Sequence, residues 1–404
     1  MDFNRIRLLA STALTILLAF RAPAANVDLS APSASYEAAT NLLLTLKARF
    51  APDSHVAIFQ VGLDQSGSQL VLTGAVDRAE VKTETARTLH QAGIQFEDEV
   101  AVLPSSQLGD RLWGIACVSV ANGREAPDHK AELGTQVLLG NTVRLWNCTT
   151  NPWPWYYAES ADGYHAWMED GAIVACTRAQ LEAWTNSPLL IVTADESLIL
   201  EKPVADAQPV SDVVVGDLVK RVSVSGDWYE VALPDGRSGF LPRADAEDYP
   251  AWQRSRHATA EGIEKRARNL VGRPYLWGAN SPKGLDCSGF TKLVFYCNGI
   301  DLLRNASEQV HQGREVPLDP DFSQLKKGDL LFFGKPAKDG KPEAVFHVGI
   351  YLGDKLFIQS SERVRINSLD PASPICDERR LHSLLHARRI LPEPTISAAG
   401  ARGE

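Results

Sequence analysis

The chain has no dense run of lysine and arginine. Its 404 residues carry 41 Lys and Arg against 50 Asp and Glu, a formal net charge of −9. No basic face is therefore expected for a nucleic acid, and electrostatic attachment to anionic polymers is equally poorly served. No C-x-x-C spacing occurs among the six cysteines (117, 148, 176, 287, 297, 376), so no zinc site and no cofactor are expected. Long apolar runs are also missing. The longest near a terminus, residues 8–20, has 13 residues, whereas a bilayer-spanning helix needs about 20. That run follows Arg5 and Arg7 and precedes Ala22-Pro23-Ala24, the layout of a secretory leader over about residues 1–25. No cysteine follows it to take a lipid. The mature chain is expected to be exported, periplasmic or extracellular, with no stable membrane span. Cysteines in that setting permit disulfides, and Cys148 with Cys176 is one available pair.

What is present concentrates in residues 271–297, VGRPYLWGANSPKGLDCSGFTKLVFYC. Glycine and proline run up to Cys287 and then stop. From Ser288 onward, Phe290, Leu293, Val294 and Cys297 fall three or four residues apart, the stripe of a helix with one buried face. Cys287 thus stands where a loop becomes a helix, with Asp286 as its cap. Unpaired backbone N–H groups and the positive end of the helix dipole act on a thiol there. Such surroundings lower a thiol pKa from about 8.5 to roughly 3.5–7.5. The expectation is a thiolate nucleophile at neutral pH, with the same N–H groups cradling an oxyanion. A lone cysteine at a helix start is more often a small buried residue; the strands downstream decide otherwise. Residues 330–333 (LLFF), 346–352 (FHVGIYL) and 355–359 (KLFIQ) read as strands, the last two joined at Gly353-Asp354. His347 and Gln359 then lie on adjacent strands of a hairpin. His347 can act as general base toward Cys287, and Gln359 can hold the second ring nitrogen.

The motifs GRPYLWGANSPKGLDCSGF, LKKGDLLFF, FHVGIYLG and FIQSS occur in order between about residues 261 and 390. Together they resemble the NlpC-type cysteine peptidases of bacterial cell walls, a compact papain-like family. The resemblance implies an α+β fold with helices packed on an antiparallel sheet. It implies Cys287 as nucleophile, His347 as base, and Gln359 as the orienting residue where close relatives commonly carry histidine. Tyr275 would contribute to oxyanion stabilisation and Trp277 would line the cleft. Asp286 and Ser288 would meet the amino end of the substrate. Asn305 lies in RNAS, which matches a stretch near the specificity pocket that usually carries an acid at that place. The implied substrates are peptidoglycan stem peptides (muropeptides), cut at the γ-D-glutamyl–L-diamino acid bond.

Ahead of this domain an internal repeat appears. Gly140-Asn-Thr-Val-Arg matches Gly216-Asp-Leu-Val-Lys. Trp155-Tyr156 stands seven residues before Asp162-Gly163, as Trp228-Tyr229 does before Asp235-Gly236. Both units look like bacterial SH3-like domains, over residues 109–180 and 187–247. Residues 124–140 resemble a loop that reaches the substrate in related recycling-type enzymes. Glu132, and Tyr164 from the DGYHAW turn, would contact a substrate ammonium and close the cleft, which implies selection of a free amino-terminal L-alanine. Residues 30–108 read as a small α+β unit, with a helix at 36–50, strands at 56–61, 69–76 and 100–103, and a helix at 81–93. A short stretch of it is similar to BON-type modules. The peptidase unit spans 256–392, with helices at 258–270 and 378–391, before a tail at 393–404. Two other functions fit the same residues: a DL-endopeptidase on intact wall, and a non-catalytic wall-binding scaffold.

Overall fold

The computed structural model describes residues 34–66, 69–150 and 153–392. The leader at 1–25 and the tail at 393–404 lie outside the described residues. In the leading unit, Ala39, Leu43 and Leu46 bury one face of the helix Ala34–Phe50. Val81, Thr85 and Leu89 do the same for the helix Ala79–Gln91. Both pack on an antiparallel pair, Phe59–Ser66 with Gln69–Val76, in register Phe59↔Val76. The first strand starts three residues later than the sequence predicts, because residues 51–58 form a loop that leaves the sheet.

Two seven-stranded antiparallel sheets follow, and the repeat maps onto equivalent places in them. Gly140 and Gly216 both take positive φ (74° and 94°) just before the strands Thr142–Thr149 and Leu218–Ser225. Trp155 and Trp228 each open the next strand. Gly163 and Gly236 turn each chain back at φ 83° and 90°. The two sheets are fused through Asp217, fully buried, whose carboxylate accepts the N–H groups of Leu139 (3.0 Å) and Val214 (2.7 Å). Cys148 and Cys176 are free thiols, as are the other four cysteines. The strand Trp113–Ala116 runs between theirs, and two strand spacings, roughly 9–10 Å, exceed the reach of a disulfide.

The last unit is a six-stranded antiparallel sheet. Its order is Arg314–Glu315, Leu384–Arg389, Leu330–Lys335, Ala344–Gly353, Leu356–Ser361 and Arg363–Ser368. Leu330 and Phe332 face the helices Ala260–Asn269 and Cys287–Tyr296, whereas Leu331 and Phe333 face a second core with Phe357 and Leu369. The alternation follows from the period of two along a strand. One expectation fails here. Residues 378–391 form only a short helix, Glu378–Ser383, and then the strand Leu384–Arg389. Among the described residues no helix is long and apolar enough to cross a membrane.

Candidate active site

Cys287 is the first residue of its helix. Asp286 caps that helix by accepting the Gly289 N–H at 2.7 Å and also accepts the Gly278 N–H at 3.0 Å. The same carboxylate is gripped by Arg304, Nη2 to Oδ2 at 2.5 Å and Nη1 to Oδ1 at 3.2 Å. Arg304 Nη1 also donates to Ser288 Oγ at 3.0 Å. Both partners of this pair are buried, a burial that only several hydrogen bonds per charge can sustain. Asp286 therefore already has a cation, and a substrate ammonium at this end would have to share it.

The thiol does not behave as the sequence predicts. Cys287 is 7 % exposed. Burial, and then the adjacent Asp286 charge, push its pKa up to about 11, against the Val348 and Ser288 N–H groups and Arg304. A helix start favours an anion, but not enough to offset loss of water beside a carboxylate. The contact with Val348 also fixes where the thiol sits: its helix packs on the strand that carries His347.

His347 Nε2 lies 2.6 Å from Gln359 Oε1. The Gln359 amide nitrogen donates to Asn367 Oδ1 (2.9 Å) and Asp377 Oδ2 (3.0 Å), so its oxygen must be the atom facing the imidazole. An amide oxygen only accepts. Nε2 therefore carries the proton, and Nδ1 keeps the basic lone pair. Arg380 Nε donates to the same oxygen at 3.2 Å. Burial, and then the Arg380 charge, draw the His347 pKa down to about 3. The free enzyme thus holds a neutral thiol and a neutral imidazole.

The predicted substrate residues share one cavity of about 720 Å³. Tyr275, Trp277, Asp286, Cys287, Ser288, Asn305, Glu132 and Tyr164 all line it. His347 opens onto a smaller cavity of about 240 Å³ with Arg379 and Arg380, and Tyr275 and Phe346 belong to both. Gln359 is fully buried behind His347. Burial and the neighbouring Cys287 raise the pKa of Tyr275, which keeps its hydroxyl a donor. Trp277 is 60 % exposed at the rim. Asn305 precedes the helix Ala306–Gln309, its N–H bonded to Glu308 Oε2 at 2.8 Å.

The first β module is held over the cleft by contacts to the catalytic unit. Asn280 N–H donates to Gln136 Oε1 at 3.0 Å, and Lys292 pairs with Asp162 at 3.0 Å. Tyr164 donates to Glu125 Oε1 at 3.3 Å. Glu125 escaped the sequence reading, as did Arg304 as the Asp286 counter-ion and the cavity-lining residues Asp53 and His55. Glu125 had one visible cue, its place near the start of the 124–140 stretch that also holds Glu132; His55 had none. Among the described residues no group of three or more His, Cys, Asp or Glu side chains is placed to hold a metal ion.

Residues 272–382 match the NlpC/P60 family. Over 277 residues the chain is 26% identical to dipeptidyl-peptidase 6 of Lysinibacillus sphaericus, covering 65% of this chain and 93% of that protein. It is 28% identical over 270 residues to gamma-D-glutamyl-L-lysine dipeptidyl-peptidase of Bacillus cereus, covering 65% and 76%. Against the protein of the same name from Bacillus subtilis it is 43% identical over 139 residues, 34% of this chain and 43% of that one. Among solved structures, an NlpC/P60 family protein from Bacillus cereus aligns with TM-score 0.57 and 25% identity, over 69% of this chain and all of that one.

Proposed function

From the premise that this chain carries an NlpC/P60 cysteine peptidase domain, we propose that it hydrolyses peptidoglycan stem peptides outside the cytoplasm. The bond is γ-D-glutamyl–L-diamino acid, in muropeptides with a free amino-terminal L-alanine. The observation that carries this reading is the Cys287 helix start set against the strand of His347, whose Nε2 is held by Gln359. The names of the Bacillus relatives support the bond, and the cavity walled by Glu132 and Tyr164 supports the free amino end.

Each side chain has a stated task. As Cys287 Sγ attacks the scissile carbonyl carbon, its proton passes to His347 Nδ1. The resulting oxyanion is met by the Cys287 N–H and the Tyr275 hydroxyl. His347 then gives its proton to the leaving amine as the C–N bond breaks, leaving a thioester. Water, deprotonated by Nδ1, attacks the thioester and restores the thiol.

Mass spectrometry of the protein with L-Ala-γ-D-Glu-diaminopimelate, free and N-acetylated, tests the reading, with Cys287→Ala as control. Cleavage of the free tripeptide alone, absent in the mutant, is expected. Cleavage of both peptides would remove the amino-end selection and favour action on intact wall. Cleavage of neither would leave a wall-binding scaffold.

A further inference from the structure

The large cavity has a wall that the family match at 272–382 does not include. Pro52, Asp53, Ser54 and His55, from the loop that leaves the leading sheet, line it together with Cys287. This loop is built in. The His55 ring stacks on Tyr164 with centroids 4.7 Å apart and 19° between planes. Its Nδ1 lies 3.0 Å from Asp53 Oδ1, and its Nε2 3.3 Å from Glu125 Oε1. Its backbone carbonyl accepts both the His165 N–H at 2.7 Å and His165 Nδ1–H at 2.9 Å. Behind the loop, Ile58, Ala75 and Leu103 of the leading unit form one apolar cluster with Tyr157 of the first β module.

We propose that the Pro52–His55 loop of the leading unit forms the closed end of the substrate cleft, with His55 as a specificity-determining residue. The ligand class is a short peptide with an unblocked amino terminus. Two features of the loop argue for that class. It brings Asp53 into the cavity that Glu125 and Glu132 also line. Asp53 and Glu125 share His55 as a partner and raise its pKa, which still leaves three carboxylates against one imidazole at this end, a surplus that suits an ammonium. The loop also stacks an aromatic ring on Tyr164, which lines the same cavity, so the two rings add bulk to that wall against a chain extended beyond the first residue. This inference rests on the peptidase reading above and goes beyond it, because it gives the leading unit a part in selection.

The test compares kinetic constants for the free and N-acetylated tripeptide in wild type, His55→Ala and His55→Phe, all as full chains. His55→Ala is expected to raise KM for the free tripeptide by about tenfold with kcat little changed, and to let the acetylated peptide be cut. His55→Phe, which keeps the stack on Tyr164, is expected to restore exclusion of the acetylated peptide. A free-to-acetylated ratio in His55→Ala equal to that of wild type overturns the proposal. Should His55→Ala fail to fold, Ser54→Trp, which adds bulk at the same wall, decides against wild type. A fall in kcat/KM for the free tripeptide supports the wall, and an unchanged value overturns it. Wild type that cuts neither peptide sinks the peptidase reading itself, an outcome seen before any variant is compared.

Discussion

Both ends of the Gln359 carboxamide are committed, and that commitment selects the basic nitrogen of His347. Gln359→Ala frees the imidazole to rotate and is expected to lower kcat by about 10²-fold with KM little changed, as steady-state kinetics would read. Arg380 bears on the same oxygen and holds the His347 pKa down through its charge. In Arg380→Met the histidine pKa should therefore rise, which a proton NMR titration of His347 would show. The buried thiol gives a third expectation. With its pKa near 11, alkylation of Cys287 by iodoacetamide should be slow at neutral pH and should climb steadily through the alkaline range. A rate already at its plateau at pH 7 would mean a preformed thiolate. The places of Cys287, His347 and Gln359 on their elements were legible in the sequence because each is set by a local pattern, a capped helix start or a hairpin. The sign of the thiol shift was not legible. It depends on how much water the folded chain removes and on which carboxylate is left beside the sulfur, and neither has a local signature.

Helix and strand patterns were readable where one face alone is buried, as in Ala79–Gln91; Cys287–Tyr296, expected to bury one face, is buried nearly all round, with only Lys292 and Tyr296 partly exposed. They misled where pairing overrode periodicity. Leu381, Leu384 and Leu385 are spaced as on a helix, yet Leu384–Arg389 pairs with Leu330–Lys335 because that strand needs a partner on its free edge. The helix that Cys287 opens hides a second exception. Gly289 lies in its first turn, where alanine ordinarily favours a helix by about 1 kcal/mol. Here a Cβ at 289 would stand 2.1 Å from the Ala279 carbonyl oxygen. Gly289→Ala should therefore destabilise the protein, lowering Tm, and should displace Cys287 enough to cost activity in the folded fraction. An unchanged or raised Tm would show that the loop at Ala279 yields easily.

Across the whole molecule, stability carries the imprint of a histidine buried without its proton. The unfolded chain takes up a proton near pH 6.5, whereas folded His347 resists it down to about pH 3. The stability present above pH 6.5 is therefore lost progressively as pH falls through that window. The difference in Tm between wild type and His347→Gln, followed from pH 7 to pH 4, should shrink or reverse as pH drops. The six free thiols give a simpler expectation: reductant should leave Tm unchanged. The repeat was legible, and its glycines and tryptophans take equivalent places in the two sheets, but the docking was not, since contacts such as Asn280 with Gln136 or His55 with Tyr164 join residues far apart in the chain. That docking has a consequence for descent. The groups assigned to the proposed chemistry all lie beyond residue 270, while part of the cavity wall comes from residues 52–55. A lineage that lost, gained or exchanged its leading unit would inherit the chemistry intact and change only its diet.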